Sequence, residues 1–262
     1  MNILDEIVSF KKGEVERRKV EMPVRELEKL PMYEKHSFSL KRFLLNDQHT
    51  GIIAEFKRRS PSKGIINDKD SVASVTAAYA GNGASALSIL TDHQFFGGSI
   101  DDMITARIHQ IPILRKEFVI DEYQIIEAKA YGADVILLIA TILTPEQVHE
   151  FTLKAHELGL EVILEIHDES ELKHIEKRVD VVGVNNRNLK TFEVNLDTSV
   201  HLSKLIPDHQ IKISESGIST VEDVLYLRQF GYKGFLIGEN FMKTQDPGLT
   251  FMKFASELYN QI

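Results

Sequence analysis

Apolar residues fall into short blocks that recur along the chain, each long enough for a buried strand and too short for a helix. The first four are Ile52-Ile53-Ala54, Ala86-Leu87-Ser88-Ile89-Leu90, Ile113-Leu114 and Val135-Ile136-Leu137-Leu138-Ile139. Val162-Ile163-Leu164, Val181-Val182-Gly183-Val184, Ile211-Lys212-Ile213 and Gly234-Phe235-Leu236-Ile237 follow. Between them lie stretches of helical composition, among them Ser71 to Tyr79, Asp121 to Tyr131, Thr144 to Leu158, Glu169 to Lys177 and Thr220 to Phe230. Thr144-Pro145 supplies a cap ahead of an N1 proline, and Ser219 or Thr220 stands before Glu222 and Asp223. Gly83, Gly132, Gly159 and Gly231 sit just past helical runs, where a left-handed residue ends a helix. Continuous apolar strands alternating with helices imply parallel strands covered on both faces. Eight units of about 20 to 34 residues match a (β/α)8 TIM barrel. A doubly wound open sheet is the competing arrangement. Against it, the first block runs into Glu55, Lys57 and Ser60 rather than a Gly-x-Gly-x-x-Gly turn.

Residues 1–48 precede the barrel and 49–262 are expected to form it. Asp5 to Val20 reads as an amphipathic helix with Ile7, Val8 and Val15 on or near one face, a helical extension packed on the barrel. Lys11, Lys12, Arg17, Arg18 and Lys19 read as its solvated face. Acids before bases, with no central apolar block, are the reverse of an export signal. The longest apolar run, from Val135 to Leu143, is roughly nine residues, half of what a membrane span needs. The absence of Cys excludes a disulfide framework and a cysteine nucleophile, and the cytoplasm is the expected compartment. The 31 Lys and Arg against 39 Asp and Glu give a net charge of −8, unsuited to general nucleic-acid binding. A small anion held by a local basic cluster remains open, and Lys57-Arg58-Arg59 with Lys63 is such a cluster.

In this architecture the loops after the strands converge on one mouth. After the first block come Glu55 and Lys57, two apart and so on one side of a strand. Lys116 follows the third, Glu165 the fifth, and Asn185 with Arg187 the sixth. Glu215, Ser216 and Gly217 follow the seventh and Gly238 the eighth. Each has a plainer reading: a structural ion pair for Glu55 and Lys57, a solvated loop charge for Lys116, a hydrogen-bonded layer residue for Glu165, simple turns for the glycines. Five strands delivering ionisable groups to one end outweigh those readings, because buried charges are costly unless they pair or work. The last two strand ends are where the fold often binds phosphate through backbone N–H groups. The ten His residues are dispersed, with only His167 near a strand end, and no metal site is expected.

The segment Ile52-Ile53-Ala54-Glu55-Phe56-Lys57-Arg58-Arg59-Ser60-Pro61-Ser62-Lys63-Gly64 resembles the signature of indole-3-glycerol phosphate synthases. The resemblance continues through Ile89-Leu90-Thr91-Asp92, Phe95-Phe96-Gly97-Gly98-Ser99, Leu114-Arg115-Lys116-Glu117-Phe118 and Leu164-Glu165. It resumes at Gly183-Val184-Asn185-Asn186-Arg187-Asn188-Leu189, Ser214-Glu215-Ser216-Gly217-Ile218 and Leu236-Ile237-Gly238-Glu239. It implies closure of an indole ring on 1-(2-carboxyphenylamino)-1-deoxyribulose 5-phosphate with loss of CO2 and water, in tryptophan biosynthesis. No metal or organic cofactor is implied, nor any nucleic-acid or membrane partner, and a monomer is expected.

By the same resemblance Lys116 is the general acid of ring closure and Glu165 the general base of dehydration. Lys57 contacts substrate carboxylate or phosphate or itself serves as an acid, a division the sequence leaves open. Glu55 and Glu215 orient the lysines and substrate hydroxyls, while Asn185 and Arg187 position the substrate. Phosphate rests on Ser60, the Ser216-Gly217 backbone, and Gly238 with the Glu239 N–H. Phe96 and Phe118 flank the aromatic ring. The side chain of Glu239, a carboxylate where relatives often carry a small or hydroxylic residue, is given no role, and Asn186 none. The loop from Arg58 to Asn67 is the candidate lid. Competing functions are a phosphoribosylanthranilate isomerase, disfavoured by the lack of Cys, an aldolase using Lys116 as a Schiff base, and a non-catalytic binding barrel.

Overall fold

The computed structural model describes residues 3–189 and 191–261. Strands β1 (Ile52–Phe56), β4 (Ala86–Leu90), β5 (Ile113–Lys116), β6 (Val135–Ile139), β7 (Glu161–Ile166), β8 (Val181–Asn185), β9 (Ile211–Glu215) and β10 (Tyr232–Ile237) close into a barrel. All the pairings are parallel, and β10 returns to pair with β1. Closure rules out the open doubly wound sheet. In the loop after β1, β2 (Arg59–Ser60) and β3 (Gly64–Ile65) make a small antiparallel hairpin.

The strands read as continuous apolar runs because both faces are buried. Their outward residues, such as Ile52, Ala54, Leu87, Ile89, Ile136 and Leu138, pack under the helices. Their inward residues, Ile53, Ala86, Leu114, Val135, Leu137, Ile163, Val181, Ile213 and Leu236, fill the barrel together with Leu40 and Leu44. The helix Leu40–Leu44 closes the amino end, where Ser39 Oγ and the Lys41 N–H both donate to the carboxylate of Glu161, the first residue of β7. With that end plugged, the carboxyl end is left as the open mouth.

Between β7 and β8 the sequence suggests a helix over Glu169 to Lys177, but the chain makes only a 3-10 turn, Glu169–His174. Asp168 accepts from the Ser170 N–H and Glu171 from the His167 N–H, local bonds that compete with a regular helical ladder.

The first helix, Ile3–Glu21, buries Leu4, Ile7, Lys11 and Val15, a stripe at helical spacing, and leaves Val8 at its margin. Its basic residues are not one wet face. Lys12 and Arg17 are exposed, but Lys11 is only 1% accessible and contacts Glu14, Asp92 and Glu117. Arg18 pairs with Glu127 at 2.8 Å and Lys19 with Asp121 at 2.7 Å, both on or beside the helix Glu122–Ala130. Tyr123 Oη donates to the Arg18 and Met22 carbonyls. The extension is therefore held by charge and hydrogen bonds as well as by its apolar stripe.

Candidate active site

The two-residue period of the strands lifts the inward column from an apolar plug to a charged rim. On β1 and the residue beyond it, Lys57 Nζ lies 2.7 Å from Glu55 Oε1, and Ser88 Oγ donates to Glu55 Oε2 at 3.2 Å. Lys116, the last residue of β5, reaches across the barrel to Glu165 Oε2 at 2.9 Å and Glu215 Oε2 at 3.2 Å. Asn185 Nδ2 donates to Glu165 Oε1 at 3.0 Å, and its Oδ1 accepts the Arg187 N–H. These groups line a cavity of about 540 Å³, within the range that holds a small metabolite. Ser60, Phe96, Phe118, Ser216, Gly217, Gly238 and Glu239 line the same cavity, so the structure brings together every residue given a catalytic or substrate-binding role above. Among the described residues no group of His, Cys, Asp and Glu is arranged to hold a metal ion.

Burial by itself would lower the Lys116 ammonium, but Glu165, Glu215 and Glu55 outweigh it and hold its pKa above the ordinary lysine range. Burial would raise Glu165, yet Lys116, then His167 and Asn185, hold it well below the usual carboxylate range. Glu215 behaves oppositely: burial, helped by the like charges of Glu165 and Glu55, overcomes Lys116 and pushes it up to about 7. One ammonium thus sits between a carboxylate that stays ionised and one that changes charge near neutrality.

Two glycines make room for these carboxylates. A Cβ on Gly183 would come within 2.5 Å of Glu215 Oε1, and one on Gly238 within 2.7 Å of Glu55 Oε1. Gly183→Ala is therefore expected to displace Glu215 and lower kcat by roughly tenfold or more, while the melting temperature changes little. Steady-state rates and a thermal melt of the same preparation check this. Beside Glu215, Ser216 and Gly217 are both left-handed, with φ of 67° and 78°, an uncommon state for serine. Asn186, to which the sequence assigns no chemistry, holds this turn. Its Nδ2 donates to the Glu215 and Ser216 carbonyls, and its Oδ1 accepts from Ser199.

The indole-3-glycerol phosphate synthase family model matches residues 4–254. The chain belongs to the indole-3-glycerol phosphate synthase family. A relative of that name from Bacteroides thetaiotaomicron is 48% identical over 258 residues, covering 98% of this chain and 99% of its own. Another from Salinibacter ruber is 42% identical, covering 98% and 96%. Among solved structures, 3-hexulose-6-phosphate synthase from Salmonella typhimurium superposes with a TM-score of 0.63 at 13% identity, over 80% of this chain and 99% of that one. A tryptophan synthase α-subunit from Pyrococcus furiosus gives 0.61 at 19%, over 81% and 99%. At such low identity these two show the shared barrel and nothing more.

The barrel departs from the sequence expectation at its mouth. Phe96 and Phe118 touch each other, with centroids 5.9 Å apart and planes tilted by 39°. A ring stacked between them would need about 7 Å, two contacts of roughly 3.5 Å, so the pair forms one apolar wall rather than two jaws. In the basic run, Arg58 is bound to Asp102 and Arg59 donates to the His93 and Gln94 carbonyls. Both pin the base of the loop, which leaves Lys57 and Lys63 as its cations at the cavity. The Glu239 carboxylate lies between Arg187, at 3.6 Å, and Lys63, at 3.9 Å. Residues not singled out from the sequence also line the cavity. Leu4 and Ile7 come from the first helix, and Leu137 and Ile139 from β6. The two-residue period of β6, which turns Leu137 and Ile139 to the same side, and the apolar stripe of the helix carry that signal.

Proposed function

We propose that the barrel mouth performs the family's reaction on 1-(2-carboxyphenylamino)-1-deoxyribulose 5-phosphate with Lys116 as acid and Glu165 as base. The ring carbon that bears the carboxylate attacks the ketone carbon, and Lys116 gives its proton to the oxygen as that oxygen gains charge. Carbon dioxide leaves with its bonding electrons returned to the ring. The new hydroxyl takes a second proton, supplied from solvent at the open mouth, and departs as water, while Glu165 takes the proton whose loss forms the double bond of the indole. The observation that carries this reading is the 2.9 Å contact between Lys116 and Glu165 at the cavity floor. An ammonium is the main partner that keeps Glu165 a weak base. Once Lys116 has released its proton, that pull disappears and Glu165 becomes a stronger base for the next step.

Lys57 and Glu55 form a second pair whose ammonium meets substrate carboxylate or phosphate. Ser60, the Ser216-Gly217 turn and the Gly238-Glu239 N–H groups hold the phosphate, Arg187 and Asn185 place the sugar chain, and the Phe96–Phe118 wall covers one face of the aromatic ring. The proposal extends to a monomer, and to a cytoplasmic enzyme. Sedimentation of the purified protein tests the first.

The decisive assay mixes protein with the carboxyphenylamino-deoxyribulose phosphate, adds no metal, and follows indole fluorescence. Fluorescence should rise in proportion to enzyme, and a folded preparation giving none would overturn the assignment. Glu165→Gln keeps the side chain's shape and removes the base. It should lower kcat by about a hundredfold with an unchanged circular dichroism spectrum.

A further inference from the structure

We propose that His167 is a positioning residue for Glu165, braced from behind by Glu171 and Thr141. The inference rests on the reading of Glu165 as the base. His167 follows β7 and does not line the cavity, so nothing in the catalytic assignment uses it. Yet its ring is largely buried and each nitrogen meets a carboxylate. Nε2 lies 3.1 Å from Glu165 Oε1 as an ion pair, without an aligned hydrogen bond. On the other side Nδ1 lies 3.2 Å from Glu171 Oε2 and 3.2 Å from Thr141 Oγ1. Thr141 spends its own proton on Glu171 Oε1, at 2.5 Å, so Nδ1 faces two acceptors. Glu171 is itself fixed by the His167 backbone N–H, which donates to Oε2 at 2.7 Å.

Carboxylate oxygens beside both ring nitrogens favour an imidazolium. A neutral ring would turn one lone pair toward a carboxylate oxygen at either nitrogen, and Glu165 has donors of its own from Lys116 and Asn185, which mark it as ionised. The charged groups around the ring are Glu165 on β7 and Glu171 and Asp168 on the turn that follows, while Lys116 and Glu215 act on Glu165 from across the barrel. Burial by itself would lower the imidazolium, but Glu165 and Glu171 outweigh it and raise it to about 10. The function of this contact appears when Lys116 turns to the ketone. Glu165 then loses one holding group, and Asn185 and His167 remain to keep its Oε1 in place for the proton it must collect.

His167→Leu should lower kcat by roughly 10- to 100-fold with KM nearly unchanged, because the ring touches the base and not the cavity. His167→Gln retains an N–H donor and should recover a large part of the loss. A purely structural role predicts a fall in melting temperature that tracks the loss of rate, and no preferential recovery with Gln. The second readout is the His167 ring resonance in an NMR titration of the resting enzyme. It should stay cationic to about pH 10 and lose that stabilisation in both Glu165→Gln and Glu171→Gln. Normal kcat in His167→Leu, or a ring that titrates near 6.5 as an ordinary His does, overturns the proposal. Failure of the underlying reading looks different: Glu165→Gln would then keep its rate whatever His167 does.

Discussion

Replacing Lys116 by methionine is expected to cut kcat by about a thousandfold while the barrel still folds. Methionine keeps the unbranched stem that fills the space beside β5 and removes only the ammonium. That ammonium meets Glu165 and Glu215 directly and is the largest favourable influence on the charge of each. Without it, burial dominates both carboxylates, and at neutral pH at least one of them takes up a proton rather than remain as an uncompensated charge. Proton uptake limits the cost to stability, so the loss falls on chemistry. Stopped assays following indole fluorescence give kcat, and circular dichroism melts verify the fold. Lys57→Met should behave differently. Lys57 pairs with Glu55 rather than with Glu165, the proposed base, and its loss should appear first in KM. Turnover in Lys116→Met within tenfold of the unsubstituted enzyme would remove Lys116 from the acid role, and a larger kcat loss in Lys57→Met would transfer that role.

The parts of this site that the sequence makes legible are those fixed by strand periodicity. Glu55 with Lys57 and Asn185 with Arg187 stand two apart at the end of an apolar run, and no tertiary knowledge is needed to place each pair on one side of its strand. Parallel closure then brings the ends together, since every strand presents its carboxyl end to the same mouth. What stays hidden is partnership between distant elements. Lys11 sits among Lys12, Gly13 and Glu14 and has every local mark of a solvated residue, but its partners Asp92 and Glu117 come from loops after β4 and β5. Arg58 and Arg59 look like an anion site along the chain, and only the fold reveals Asp102 and two carbonyls in front of them. His167 is half legible: Glu171 is four residues on, whereas Thr141 arrives from the loop after β6. Asn186 is opaque for the same reason, because the strained turn it holds belongs to the next strand.

The largest effect expected outside the cavity is at Lys11. Its ammonium is 2.8 Å from Asp92 Oδ2 and 3.0 Å from Glu117 Oε1, and all three side chains are almost wholly buried. Removing one partner of such a cluster leaves charges without compensation, at a cost of about 3–5 kcal/mol. For a chain of this size, Lys11→Met should therefore melt on the order of 10 °C lower. The pH dependence has a definite sign. Burial would raise Glu117, but Lys11, followed by Arg115, holds its folded pKa below the ordinary value. Its contribution is then present above the ordinary carboxylate range and is lost as pH falls through the depressed value. Lys11 is raised in the folded state despite burial, by Glu117 and Asp92, so its share persists until pH climbs above the ordinary lysine range. The gap in melting temperature between the two proteins should accordingly be wide at pH 8 and narrow only as the pH falls below the ordinary carboxylate range. The same carboxylates also connect stability to the aromatic wall at the cavity. Asp92 Oδ1 accepts the Phe95 and Phe96 N–H groups at 2.7 and 3.2 Å, and Glu117 Oε1 accepts the Phe118 N–H at 2.9 Å. A first helix that anchors both carboxylates also anchors the aromatic wall, so KM should rise in Lys11→Met even at temperatures where the variant is fully folded. A variant that melts lower with an unchanged KM would separate the two roles and confine Lys11 to stability.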